Sequence, residues 1–146
     1  MKQKVFLPAP ATDFVPHRPP MLLINRLLAR DRAAGSARTE VVSPATGIFV
    51  QDMVLAPEYC IELIAQTAAA ATGHDALEDG AAGSQGYLVG VDEFCWPGRV
   101  KAGELLEVAI QKTFAFGQVS IMEGWVRNSR GEDVARGKVR VWEEVK

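Results

Sequence analysis

"PEYCIELIAQTAAAATG", Pro57 to Gly73, decides how the rest of the chain is read. Proline suits the first helical position, where its missing N–H would have had no partner. Gly73 suits the left-handed residue that ends a helix. Between them Ile61, Leu63, Ile64, Ala65 and the run Ala68 to Ala71 leave almost no polar face. Such a helix belongs inside a protein rather than on its surface. Yet Glu62 stands in its middle. Either the carboxylate reaches a polar edge or pairs with an arginine such as Arg18, or it does proton chemistry. Burial raises a carboxyl pKa and lets it keep a proton to donate near neutral pH.

Beyond the helix, "HDALEDGAAGSQG" (74–86) is polar and glycine-rich, which predicts a surface loop or a short helical extension followed by a loop. The period then changes to two. "GYLVGVDEFCW" (86–96), "ELLEVAIQKTFAF" (104–116), "QVSIMEGWV" (118–126) and "DVARGKVRVW" (133–142) read as strands, with "FGQ" and "NSRGED" as hairpin turns. On the other side of the helix, residues 1–19 form a proline-rich irregular lead-in. "MLLINRLLARD" (21–31) and "SARTEVV" (36–42) read as strands either side of Gly35. One buried helix with five or six mostly antiparallel strands predicts an α+β domain whose sheet wraps the helix.

The 146 residues fit a single domain over 1–146, and 48% hydrophobic with 23% charged residues is a soluble globular composition. No apolar run approaches the roughly 18 residues of a membrane span. The charged, proline-interrupted start does not resemble a secretory leader, so a cytoplasmic location is expected. A net charge of −2 without a Lys/Arg cluster argues against nucleic acid. The two cysteines, Cys60 and Cys95, make neither a disulfide framework nor a zinc site. Metal-ligand spacings, phosphate loops and nucleophile elbows are missing from the sequence, so neither a metal nor a cofactor is expected.

The candidates for chemistry are few. Glu58 lies one turn before Glu62, where the helix dipole alone explains an anion. His17 is fixed between Pro16 and Arg18-Pro19-Pro20, a stiff setting equally suited to a positioned imidazole and to one that bonds to backbone. His74 follows Gly73 and is expected to be a solvated residue favouring the helix C-terminus. Cys60 points to a different face from Glu62 and is expected to behave as a small apolar residue.

Three segments, in order, resemble one family. "VPHRPPMLLINRLL" (15–28), "IELIAQTAAA" (61–70) and "GYLVGVDEFCWPGRVKAGELLEV" (86–108) are similar to motifs of the β-hydroxyacyl-(acyl carrier protein) dehydratases of the hotdog fold, the FabA/FabZ type. The resemblance covers most of residues 14–112. It implies an antiparallel sheet wrapped around one long central helix, and paired units that form a tunnel for an acyl thioester. Glu62 falls on the family's acidic position. The family's histidine should lie fourteen residues before it, but that position is Ile48, next to Phe49. The helix entry also differs, because Ala56-Pro57 stands where the family's Pro-Gly gives a backbone N–H. The altered pattern is closest to the divergent ApeP-type predicted 3-hydroxyacyl-(acyl carrier protein) dehydratases of aryl-polyene-type synthesis.

The resemblance therefore implies dehydration of a 3-hydroxyacyl thioester carried on acyl carrier protein or coenzyme A. His17 and Glu62 are the catalytic pair. Glu58, Tyr59, Gln66 and Phe49 are the substrate-binding candidates, with the backbone amides of Glu58 or Tyr59 facing the thioester carbonyl. The assembly expected is a homodimer or a hetero-oligomer with a second hotdog subunit. Two alternatives stay open: an acyl thioesterase, and a non-catalytic partner of acyl carrier protein or of an active dehydratase.

Overall fold

Leu106, Val108 and Ile110 are buried, while Glu107, Ala109 and Gln111 between them are half-buried on the other face. This period of two builds most of the chain. The computed structural model describes residues 4–81 and 86–143. Its strands are β1 (Ala9–Pro10), β2 (Arg26–Asp31), β3 (Ser36–Val42), β4 (Val50–Gln51), β5 (Val54–Leu55), β6 (Gly86–Cys95), β7 (Leu105–Phe116), β8 (Val119–Asn128) and β9 (Asp133–Glu143). A 3-10 turn covers Ala11–Asp13, and α1 covers Glu58–Glu78. Seven strands form one sheet in the order β1-β2-β3-β7-β8-β9-β6, every pair antiparallel. β4 and β5 form a separate hairpin.

The sheet curls round α1, as the expected α+β architecture requires. Tyr59, Leu63 and Ile64 of the helix are fully buried with Leu27, Val41, Val108, Val126 and Val139 of the sheet. Gly124 allows this approach: a Cβ there would lie 2.6 Å from Ile64. Before the helix, the β4–β5 turn places Asp52 and Met53 at φ 51° and 65°. Met53 O accepts the N–H of Ala102 at 2.9 Å, tying this turn to the loop between β6 and β7.

Three expectations need correction. The helix does not end at Gly73 but continues to Glu78, so the extension reading of 74–86 holds as far as residue 78; residues 82–85 lie outside the described residues. Gly73 is instead a packing glycine, because a Cβ on it would fall 1.8 Å from the carbonyl oxygen of Phe14. His74 is not solvated. It is 4% exposed, lies against the ring of Phe14, and its Nδ1 is 3.2 Å from Asp75. Finally, the strand expected over 21–31 begins only at Arg26, since the Gln66 side chain holds the backbone of Met21 and Leu23.

β6 is one of the sheet's two edges, with no strand among the described residues on its outer side. Tyr87, Leu88, Val89 and Val91 on it are exposed. Its acidic residues are neutralised within the chain, Asp92 by Arg140 and Glu93 by Lys138, each at 3.0 Å.

Candidate functional site

Gln66 joins the two segments on which the sequence reading depends. It is 2% exposed, and its amide is fully used. Oε1 accepts the N–H of Leu23 at 2.8 Å, and Nε2 donates to Met21 O at 2.8 Å and to Glu62 Oε1 at 3.3 Å. The partners fix the orientation of the amide, since a flip would set oxygen against carbonyl and N–H against N–H. Glu62 and Gln66 meet because residues four apart share a helix face. Glu62 itself is half-buried.

His17 lies just before the segment that Gln66 clamps, four residues ahead of Met21. Arg18 O accepts the N–H groups of Met21 and Leu22 at 2.9 and 3.1 Å, closing a turn just after His17. Arg18 folds its guanidinium onto its own loop, donating to Val15 O, His17 O and Thr12 O. It therefore does not pair with Glu62. The imidazole is half-buried, and its Nδ1 is buried without a hydrogen-bond partner among the described residues.

The helix entry holds the other candidates. Glu58 is exposed in the first turn. The amide of Tyr59 already donates to Ala56 O at 3.0 Å, and that of Cys60 to Pro57 O at 3.1 Å. Tyr59 is fully buried, with its ring 5.6 Å from that of Phe49 and its hydroxyl unpartnered. Phe49 O accepts the N–H of Ala56 at 2.7 Å. Ile48, at the family's histidine position, is 90% exposed. Burial pushes the Cys60 thiol up to about 12, which keeps it an inert core group.

Trp96 was not among the candidates, although its place in "WPG" at the end of a strand was visible. Its indole donates to Pro57 O at 2.9 Å and helps wall an apolar cavity of about 280 Å³ with Leu55, Pro57, Cys60, Arg99 and Val134. A larger hollow of about 380 Å³ lies between Arg38, Ala109, Trp125 and Arg127, away from Glu62. Its arginines are neutralised, Arg38 by Glu107, Arg127 by Asp133 and Arg30 by Asp75.

One cluster has metal-ligand chemistry. His74, Asp75 and Glu78 bring their donor atoms within 4.8 Å of one another. Asp75, however, is already held by Arg30 at 2.7 Å and by Arg32 at 3.5 Å. Burial works to raise its carboxyl pKa, but hydrogen bonds from Arg30 and His74 and the arginine charges outweigh it and hold the carboxyl below its usual range. The cations already present give this cluster a structural reading.

The sequence model of the ApeP-like family, described as ApeP dehydratase, matches residues 9–146. No curated protein matches the sequence. Among solved structures, the dehydratase heterocomplex ApeI:P from Xenorhabdus doucetiae superposes with a TM-score of 0.82 at 20% identity, covering 97% of this chain and 94% of that one. A hypothetical thioesterase with coenzyme A from Streptococcus pneumoniae gives 0.65 at 11% identity, covering 82% and 85%. The PaaI protein of the Escherichia coli phenylacetic acid degradation operon gives 0.63 at 14% identity, covering 80% of each chain. At these identities the structures speak for the fold alone. With one helix wrapped by an antiparallel sheet and a family match running from residue 9 to residue 146, the chain is a hotdog-fold protein of the ApeP-like dehydratase family.

Proposed function

We propose that this protein dehydrates a 3-hydroxyacyl thioester carried on acyl carrier protein or coenzyme A, in the cytoplasm. The imidazole of His17 takes a proton from the carbon next to the thioester carbonyl. The bond from the neighbouring carbon to its hydroxyl oxygen then breaks, and Glu62, protonated, gives its proton to that oxygen. The products are water and an enoyl thioester, and the proton held on His17 returns to Glu62 through solvent. The observation that supports this reading is the Gln66 clamp, which holds Met21 and Leu23, four and six residues after His17, against the helix bearing Glu62.

The working unit in this reading is an assembly of two hotdog subunits. The exposed apolar edge β6 supports it, since an edge strand of this composition is a template for another strand. Incubating the pure protein with a 3-hydroxyacyl-pantetheine and following the enoyl thioester by absorbance tests the reading. Release of free acid instead marks a thioesterase.

A second reading has its own support. Ile48 cannot accept a proton, and it projects into solvent at the position where the family places its base. The superposable Xenorhabdus protein belongs to a heterocomplex. In this reading the chain is the supporting half of a mixed dehydratase. Activity that emerges only when a FabZ-type partner is added selects it.

A further inference from the structure

Among the described residues, three buried side-chain atoms lack a hydrogen-bond partner: His17 Nδ1, Tyr59 Oη and Glu104 Oε1. Such orphans are uncommon in folded proteins and call for a cause. Two of them belong to the elements that carry the proposed chemistry. His17 has a role in it. The hydroxyl of Tyr59 has none, although Tyr59 lies three residues before Glu62 and seven before Gln66, on one flank of α1.

The helix entry is short of donors for an acyl carbonyl. Pro57 has no N–H, and the amides of Tyr59 and Cys60 are taken by Ala56 O and Pro57 O, which leaves that of Glu58. Side chains on a helix tilt toward its N-terminus, so the phenol of Tyr59 points back to this entry. Burial holds the phenol pKa well above its ordinary value, so the group keeps its proton and remains a donor. Its cover is Phe49. That ring sits at the end of a loop joined to the helix entry by the bond from Ala56 N–H to Phe49 O, and its neighbour Ile48 is open to solvent.

Resting on the dehydratase reading, we infer that the Tyr59 hydroxyl, bared when Phe49 moves aside, donates the hydrogen bond that holds the thioester carbonyl oxygen of the substrate. Charge collects on that oxygen as the neighbouring carbon loses its proton, so a donor aimed there acts on the transition state. The hydroxyl supplies a second donor beside the one amide left open at the helix entry, that of Glu58.

Tyr59→Phe removes this oxygen and nothing else. Two measurements are made on the variant and the wild type: kcat for a 3-hydroxyacyl-pantetheine, alone and with a FabZ-type partner, and calorimetric affinity for the unreactive amide analogue of that substrate. The expected result is at least a tenfold loss in kcat and in affinity, with an unchanged or higher melting temperature. A merely structural tyrosine would move the melting temperature and leave both other quantities alone. Unchanged kcat and affinity overturn the inference while leaving the dehydratase reading in place. A wild type that binds the amide through Tyr59 yet never forms enoyl product overturns the dehydratase reading and keeps the hydroxyl as a carbonyl site. A wild type that neither binds nor reacts overturns both.

Discussion

Gln66 stands one helical turn beyond Glu62 and bonds to it at 3.3 Å while holding the main chain of Met21 and Leu23, each at 2.8 Å. One side chain thus sets the carboxylate and anchors the loop that follows His17. Gln66→Leu leaves the Leu23 N–H and Met21 C=O without partners, a cost of about 1–3 kcal/mol for each one that stays buried. Chemical denaturation should show a loss of that order. Stability equal to wild type would mean that the loop docks without the clamp.

Glu62→Gln keeps the shape and the contact with Gln66 but cannot deliver a proton. Turnover should vanish while the melting temperature holds or rises, because a half-buried carboxylate is exchanged for a neutral amide. A variant that melts well below wild type and still turns over would make Glu62 a structural residue.

His17→Ala should lower turnover by about two orders of magnitude or more, the usual effect of losing a general base. Ile48→His should not be needed for activity. If the wild type is inert and Ile48→His creates dehydration, the natural chain is the supporting subunit of a mixed enzyme.

Gly73→Ala tests the packing of α1. In an ordinary helix interior this change gains about 1 kcal/mol. Here the new methyl meets the Phe14 carbonyl at 1.8 Å, and backbone must move. The expected result is a loss of about 1–3 kcal/mol, as for an overfilled core. A gain in melting temperature would mean that residues 11–15 dock loosely.

Asp75 should make stability depend on acid. Its pKa is lowered by folding, so its contribution is complete above the unfolded value near 3.9 and fades as pH falls toward the folded one. Asp75→Asn should cost about 1–3 kcal/mol at pH 7, leaving Arg30 short of a partner. The gap from wild type should narrow below about pH 4. Denaturation curves at pH 7 and pH 3.5 that differ by the same amount would remove Asp75 as the cause.

The period-two strands were legible because one face of each is buried, so alternation is written into β7, β8 and β9. Glu62 was legible because a charge stands out on an apolar helix. Gly73 misled because a glycine's local meaning, a helix end, competes with a tertiary one, and only the position of Phe14 decides between them. His74 followed the same error, since a histidine after a helix end is wet and one in the last full turns of a buried helix is not. Trp96 and the Tyr59 hydroxyl could not be ranked from the sequence, because what matters there is which partner each polar atom finds or lacks.

The bare edge of β6 ties this chain's abundance to its company. Leu88, Val89 and Val91 are exposed on a strand that pairs with β9 on one side and, among the described residues, with no strand on the other. An apolar edge of this kind is a template for another strand, the right one or a wrong one. If a partner strand covers β6, a cell that makes the chain in excess of that partner should find the surplus in the insoluble fraction.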